Sequence, residues 1–275
     1  MPTPYQPREL VEDIQSRYSA LEAATFWDCE SLFKKFLAEG SPIRWLNGQL
    51  AGLLEFEVKQ NEISEKQALM HQGDGWAISV ATLEPARRFI HALPYYAFYS
   101  PLAEELVVDR YRLPNGFRSD VFDPSVRIAH LDTLNIAKGD VLKLETNQYA
   151  YDFRLTKSLP ILRFASRCVR PLEWLFSRST LQAWQANDAE LRLTQLRVAA
   201  HALGKIAHQS SIDPLKRLSA HPHHAVRWAA IQNLGRLSRS AALAKIKEAV
   251  NDPHPHVKRA AQKTLEQLSG RPQPE

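Results

Sequence analysis

The sequence predicts an α+β chain of more than one domain: N-terminal helices with a small antiparallel β-barrel, then a C-terminal α-solenoid. Three observations predict it. A helical pattern recurs near the C-terminus, with Leu203, Leu234 and Leu265 spaced 31 residues apart, as are Ile206, Leu237 and Leu268. Residues 75–168 alternate short apolar runs with turn residues. Charge divides along the same line: residues 1–150 hold 15 Lys/Arg against 21 Asp/Glu (−6), and residues 188–275 hold 14 against 7 (+7).

Residues 7–39 read as helices. Leu10, Ile14, Tyr18 and Leu21 form one apolar stripe, and Leu32, Phe33, Phe36 and Leu37 form a second. Asp28 is placed to cap the second helix and Gly40 to stop it. A third helix is expected over 43–57, with Ile43, Leu46, Leu50, Leu53 and Leu54. Beyond Asn61 the pattern changes.

The expected strands are Trp76–Ala81, Arg88–Leu93, Tyr96–Tyr99, Glu105–Leu113, Val126–Ile136, Val141–Glu145, Ala150–Leu155 and Pro160–Ala165. Pro114-Asn115-Gly116, Lys138-Gly139-Asp140 and Thr146-Asn147-Gln148 supply turns. Such strands suit a sandwich or barrel, with Val126–Ile136 and Val141–Glu145 paired as a hairpin. Leu172, Trp174, Leu175 and Phe176 then suggest a helical connector. The expected domains are 1–168 for helices and barrel, 169–187 for the connector, and 188–275 for the repeats.

Within the repeats, paired helices are expected at 211–220 with 225–238 and at 241–250 with 256–268. The alanines at 199, 200, 229, 230, 260 and 261 allow close helix approach. His221-Pro222-His223-His224-Ala225-Val226 aligns with Asp252-Pro253-His254-Pro255-His256-Val257, and proline there stops one helix or starts the next. A frame of Asp-Pro-x-x-x-Val-(Arg/Lys)-x-Ala-Ala-x-x-x-Leu is complete in the last unit, and His221 replaces its aspartate in the middle one. Over roughly 188–269 this resembles the HEAT family, in particular the short HEAT-like repeats of phycobilin lyases. The resemblance implies a solenoid that binds other macromolecules.

The stretch Leu134-Asn135-Ile136-Ala137-Lys138-Gly139-Asp140-Val141-Leu142-Lys143-Leu144 resembles the second half of a cupin, where a Gly-Asp turn precedes a strand and then a histidine. Val107 to Gly116 would enter the first cupin motif. That resemblance covers roughly 75–168 and implies a double-stranded β-barrel. Metal-dependent cupins carry a His-x-His pair, a carboxylate and a later histidine. Here 117–125 contains no histidine, and Tyr149 or Tyr151 stands where the later one would fall. The barrel is therefore expected to hold no metal or other cofactor.

The candidate site residues follow. His130 and Asp132 should share a strand face through the period of two, and Arg110 and Arg112 do likewise, as do Tyr149 and Tyr151. Pointing inward, these six would offer guanidinium, imidazole and phenol groups to an anionic or aromatic small molecule. In the repeats, Arg227, Trp228, Arg236, Lys258 and Arg259 form a candidate binding surface. A cationic ladder of this kind tracks phosphates in HEAT-like DNA glycosylases, but their catalytic aspartate has no counterpart here. In HEAT proteins the Arg227/Lys258 position also braces the turn through neighbouring carbonyls. HEAT-like deoxyhypusine hydroxylases bind two irons through His-Glu pairs, and this sequence has no His-Glu dipeptide. No metal is expected at the turn histidines.

No apolar run approaches the ~20 residues of a membrane span, and the first residues carry no basic-then-apolar leader. Cys29 and Cys168 lack a metal or redox spacing, which suits reduced thiols in a cytoplasmic, bacterial-type protein. The reading is a non-catalytic adaptor or regulator that meets a protein partner through the solenoid. The alternatives are a cupin-type oxygenase or isomerase with atypical ligands, and a nucleic-acid binder using the basic repeats.

Overall fold

A computed structural model describes residues 6–19, 22–54, 63–64, 67–85, 88–146 and 148–269. Leu21, Asn61 and Asn147 of the sequence argument lie outside the described residues, as do the side chains of Leu53 and Leu54. The chain divides into two compact units, Met1–Phe117 with Asp123–Asn187, and Arg118–Phe122 with Asp188–Glu275. Among the described residues, no helix is long and apolar enough to cross a membrane.

The described residues of the first unit open with the helices α1 (Pro7–Arg17), α2 (Ala23–Asp28), α3 (Glu30–Ala38) and α4 (Ser41–Leu54). Pro7 starts α1 without losing a bond, and a capping box joins Gln6 to Glu9, whose Oε2 accepts the Gln6 N–H at 2.7 Å. Asp28 closes α2 instead of capping α3, because the residue between them, Cys29, has helical backbone angles. Gly40 ends α3 as expected, with φ +65°. The apolar face of these helices buries Leu10, Ile14, Phe26, Phe33 and Phe36. Phe26 stacks on Phe98 at 5.1 Å and meets Phe164 at 4.8 Å, so the helices are fastened to a sheet by aromatic rings. Each such side chain contributes roughly 1.5–3 kcal/mol through burial.

Among the described residues twelve strands follow: β1 (Ile63–Ser64), β2 (Gln67–Gly73), β3 (Trp76–Leu83), β4 (Phe89–Ala92), β5 (Ala97–Pro101), β6 (Leu106–Arg112), β7 (Ala129–Ile136), β8 (Leu142–Leu144), β9 (Tyr149–Phe153), β10 (Leu159–Ser166), β11 (Leu172–Ser177) and β12 (Ala183–Asp188). They form two six-stranded sheets, ordered β1-β2-β3-β10-β5-β8 and β12-β11-β4-β9-β6-β7. Strand alternation sorts β10 between two cores. Leu162 and Phe164 join the helices, while Ile161 and Ala165 join Tyr99, Leu106, Val108, Tyr151 and Phe153 from both sheets.

Two expectations are corrected here. The segment 169–187 holds β11 and most of β12 and no helical connector: Leu172, Trp174 and Phe176 are buried and their neighbours half-buried, a period of two. The Lys138-Gly139-Asp140 turn exists, with Gly139 at φ +84°, but it closes no hairpin. β7 pairs with β6 in one sheet and β8 with β5 in the other, so the turn carries the chain between sheets. Gly139 N–H bonds Pro101 O at 3.0 Å, which anchors it beside β5.

The second unit contains α5 (Leu191–Ile206), α6 (Ile212–Leu218), α7 (His224–Leu237), α8 (Arg239–Ala249) and α9 (Pro255–Ser269). α7 packs against each of the other four. The second alanine of each expected pair, Ala200, Ala230 and Ala261, is fully buried. Leu234 is fully buried as well, whereas Leu203 and Leu265 are partly buried. The difference follows from position, since the middle unit has neighbours on both sides. Gly204 marks the closest approach: a Cβ there would lie 2.2 Å from Asn233 Oδ1.

Candidate functional site

In the first unit the strand register brings a polar group onto the face that looks towards the core shared by the sheets. Arg110 on β6 lies opposite Asp132 on β7 and Tyr151 on β9. Tyr151 in turn lies opposite His91 on β4, whose other neighbour is Leu175 on β11. Cross-strand partners share a face, so Arg110, Asp132, Tyr151, His91 and Glu173 all lie on one side of this sheet.

Their contacts are specific. Arg110 grips Asp132 with a two-point fork, Nε to Oδ1 at 2.8 Å and Nη2 to Oδ2 at 2.5 Å. The hydrogen bonds from Arg110 hold the Asp132 carboxyl below the usual carboxylate range. The same guanidinium lies 5.0 Å from the Tyr149 ring centre. His91 Nδ1 is 2.9 Å from Glu173 Oε1. Tyr95, in the bend before β5, and Tyr99 on β5 have their hydroxyls 3.1 Å apart, and Arg163 on β10 sits 5.2 Å from the Tyr95 ring. Burial raises the Tyr99 phenol well above its ordinary value, so it stays a neutral hydrogen-bonding group. Tyr151 accepts the Glu145 N–H at 2.7 Å.

Of the six residues expected to line this region, four come together: Arg110, Asp132, Tyr149 and Tyr151. Arg112 sits at the exposed end of β6, opposite Tyr149. His130 is turned away. A bulge between Arg110 and Tyr111 skips Leu131, so His130 pairs with Tyr111 and leaves the face of Asp132. It lies instead 3.9 Å from Asp109, whose carboxylate accepts from Thr133 at 2.6 Å and Arg154 at 3.0 Å. Sequence reasoning missed Tyr95, Tyr99, Arg163 and Glu173. Glu173 was hidden because its segment read as a helix. The alternation of β5 and β10 carried a signal for Tyr99 and Arg163. Among the described residues no third histidine, cysteine or carboxylate completes a converging trio with His91 and Glu173.

In the second unit the five expected surface residues separate by role. Arg227 is a brace: its fork holds Asp252 at 2.9 and 2.7 Å, and its Nη1 donates to His221 O and Pro222 O at 3.0 and 2.7 Å. Trp228 packs partly buried against Ile231, Ile246, Ala249, Val257 and Ala261. Arg236, Lys258 and Arg259 are exposed. The apolar exposure lies elsewhere. On α5, Leu191, Val198 and Ile206 are 72%, 63% and 69% exposed. With Ala202 they fall within about 80° of one another on the helix.

Residues 185–266 match the family of HEAT repeats. This part of the chain thus carries a repeat type suited to protein interaction. No curated protein matches the chain. Solved structures with limited similarity include the hydroquinone 1,2-dioxygenase of Sphingomonas sp. TTNP3 with 4-hydroxybenzoate bound, 17% identical over 42% of this chain and 73% of that one, with a TM-score of 0.30. A cupin superfamily protein from Desulfitobacterium hafniense is 14% identical over 42% and 87%, with a TM-score of 0.25. A double-stranded β-helix protein from Klebsiella pneumoniae is 10% identical over 42% and 84%, with a TM-score of 0.24. Likeness at these scores carries no weight for activity.

Proposed function

We propose that this protein is a non-catalytic adaptor or regulator whose HEAT-like solenoid docks a protein partner, with the cupin-like barrel as a second binding module. The observation that carries this reading is the uncovered stripe of Leu191, Val198 and Ile206 on α5. Exposed apolar side chains that recur along one helix face support a docking role more strongly than scattered ones. The helix also carries Arg192 and Lys205 and no acidic residue, while its Arg197 is already paired with Asp188. Its preferred partner therefore presents an apolar strip flanked by carboxylates. The exposed Arg236, Lys258 and Arg259 extend the cationic character of the repeats, whereas the braced Arg227 does not.

A photo-crosslinking residue at position 198 tests the reading in cells that express the full chain. The expected outcome is a discrete adduct with another protein, lost when Leu191 and Ile206 are both changed to Asp. Adducts only within this chain, or adducts indifferent to those changes, would overturn it.

A second role rests on the polar group between the sheets. Arg163, the Tyr95–Tyr99 pair and the Arg110–Asp132 fork supply cationic and phenolic groups suited to a small anionic or aromatic ligand. This is the work assigned to the barrel.

A further inference from the structure

We propose that the turns preceding α7 and α9 form a binding site for a Zn2+ ion, with His224, His254 and His256 as its ligands. One ring nitrogen from each of the three lies within 4.8 Å of the others. No metal is expected at these histidines from sequence alone, because the ligands come from two turns that only the repeat packing brings together.

The turns are held independently of any ion. Arg227 ties the first turn, through His221 O and Pro222 O, to Asp252 at the start of the second. Asp252 Oδ1 also accepts the His254 N–H at 2.8 Å, which sets the direction of the chain at the second turn. The ligands thus start from a braced framework, so little ordering cost remains for binding.

The hydrogen bonds of His254 favour one tautomer. Its Nε2 is 3.0 Å from the Asp120 carbonyl oxygen, an acceptor only, so Nε2 carries the proton. Nδ1 is left with its lone pair, and receives only a long bond of 3.3 Å from the His256 N–H. A ligating histidine ordinarily fixes its ring in this way, with the second nitrogen donating to a carbonyl or carboxylate.

The surroundings of His224 and His256 favour the neutral form that a metal needs. Burial lowers His224 to about 4, helped by His254, His223 and His256. Burial also lowers His256. Next to the trio, His223 has its ring centre 4.7 Å from that of His224, and both its ring nitrogens are buried without a hydrogen-bond partner. Unsatisfied buried nitrogen beside three imidazoles fits a site that takes a positive ion as acceptor of lone pairs. Arg227 and Arg259 oppose a dication here, and Asp252 and Asp120 offset them.

Imidazole-only donors select Zn2+ over Mg2+ or Ca2+, which require oxygen. Zinc bonds imidazole nitrogen at about 2.0–2.1 Å, so ligand nitrogens close to within about 3.4 Å of one another in a tetrahedron. The three nitrogens, now within 4.8 Å of one another, must therefore draw closer on binding. The His224 and His254 rings are stacked at 3.5 Å and 4°, and one must turn so that the ion lies in the plane of both. Three protein ligands leave a fourth position for water, His223 or an exogenous group.

The test titrates chelator-stripped full-length protein with Zn2+ in competition with a chromophoric chelator. About one ion per chain is expected, bound at micromolar concentration or tighter. His224→Gln and His256→Gln should each weaken binding at least tenfold, while His201→Gln on exposed α5 leaves it unchanged. Zinc should also shield His224 and His256 of the unaltered protein from carbethoxylation, a readout that stands if a variant misfolds. No binding, binding unchanged in both variants, or no shielding would overturn the site. The outcome is independent of docking on α5, whose crosslinking test uses no metal.

Discussion

Arg227 and Asp252, 25 residues apart, meet as a fork and a carboxylate whose side chains retain only 14% and 8% of their exposure. Hydrogen bonds to the backbone occupy what remains of both groups, so the pair joins two successive turns. Removing one member leaves its partner buried and unpaired. Arg227→Ala should therefore destabilise the helical unit by about 3 kcal/mol. Arg227→Lys should recover only part of this, because an ammonium cannot reproduce the fork. Denaturant unfolding followed by helical circular dichroism would measure both. Charge reversal at Arg227 consequently damages the fold, and tests of a cationic docking surface belong at Arg236 and Lys258.

Gly204 and Leu234 report on the same packing from opposite directions. Leu234→Ala opens a cavity at a fully buried position between units, at a cost of about 2–5 kcal/mol. Gly204→Ala adds one methyl in a helix, where alanine is ordinarily preferred by about 1 kcal/mol. The clash with Asn233 reverses that preference, and a net loss of about 1–3 kcal/mol is expected. A stabilised Gly204→Ala protein would show that α5 and α7 do not approach as closely as described.

Much of this architecture was legible in the sequence, and the reasons for the rest are physical. The 31-residue spacing located α6 to α9 because Leu203, Leu234 and Leu265 are each buried at least in part, although Ile206, the first of the other 31-residue series, is exposed. The strands from Trp76 to Ala165 were legible because turn residues separated them. Glu173 and Trp174 were not, since Leu172-Glu173-Trp174-Leu175-Phe176 fits either period and its sheet partners lie some 80 residues earlier, on β4. The orientation of His130 depended on a one-residue bulge, which no local composition marks. The turn histidines stood out in the sequence, but which three converge did not: His254 and His256 share one turn, and only packing between repeats brings His224 beside them.

The two cysteines should differ in reactivity. Cys29 is buried, and burial pushes its thiol up to about 11, so its thiolate is scarce at neutral pH. Cys168 is only partly covered. Iodoacetamide at pH 8 should label Cys168 alone in the native protein and both thiols after unfolding, as peptide mass mapping would show. Equal labelling of Cys29 in the native state would mean that the helices detach readily from their sheet.

That attachment also has an electrostatic component with a calculable pH dependence. Glu30, at the start of α3, is bonded by Lys143 from β8 and by Lys34 at 2.7 Å. Burial alone pushes the Glu30 carboxyl up, but the hydrogen bonds from Lys143 and Lys34 outweigh it and bring it below the ordinary 4.5. The folded protein thus holds this proton less tightly than the unfolded chain does. The stabilisation is fully present above the unfolded value and disappears as pH falls through the folded one. Glu30→Gln should cost about 0.5–1 kcal/mol at neutral pH. The gap from the unaltered protein should then close on acidification, and shrink in high salt at neutral pH as the partly exposed lysines are screened. Unfolding curves at neutral pH and at about pH 3 decide the matter. A gap that persists undiminished in acid would mean that Glu30 acts by packing or by hydrogen bonds that survive protonation, with its charge contributing nothing.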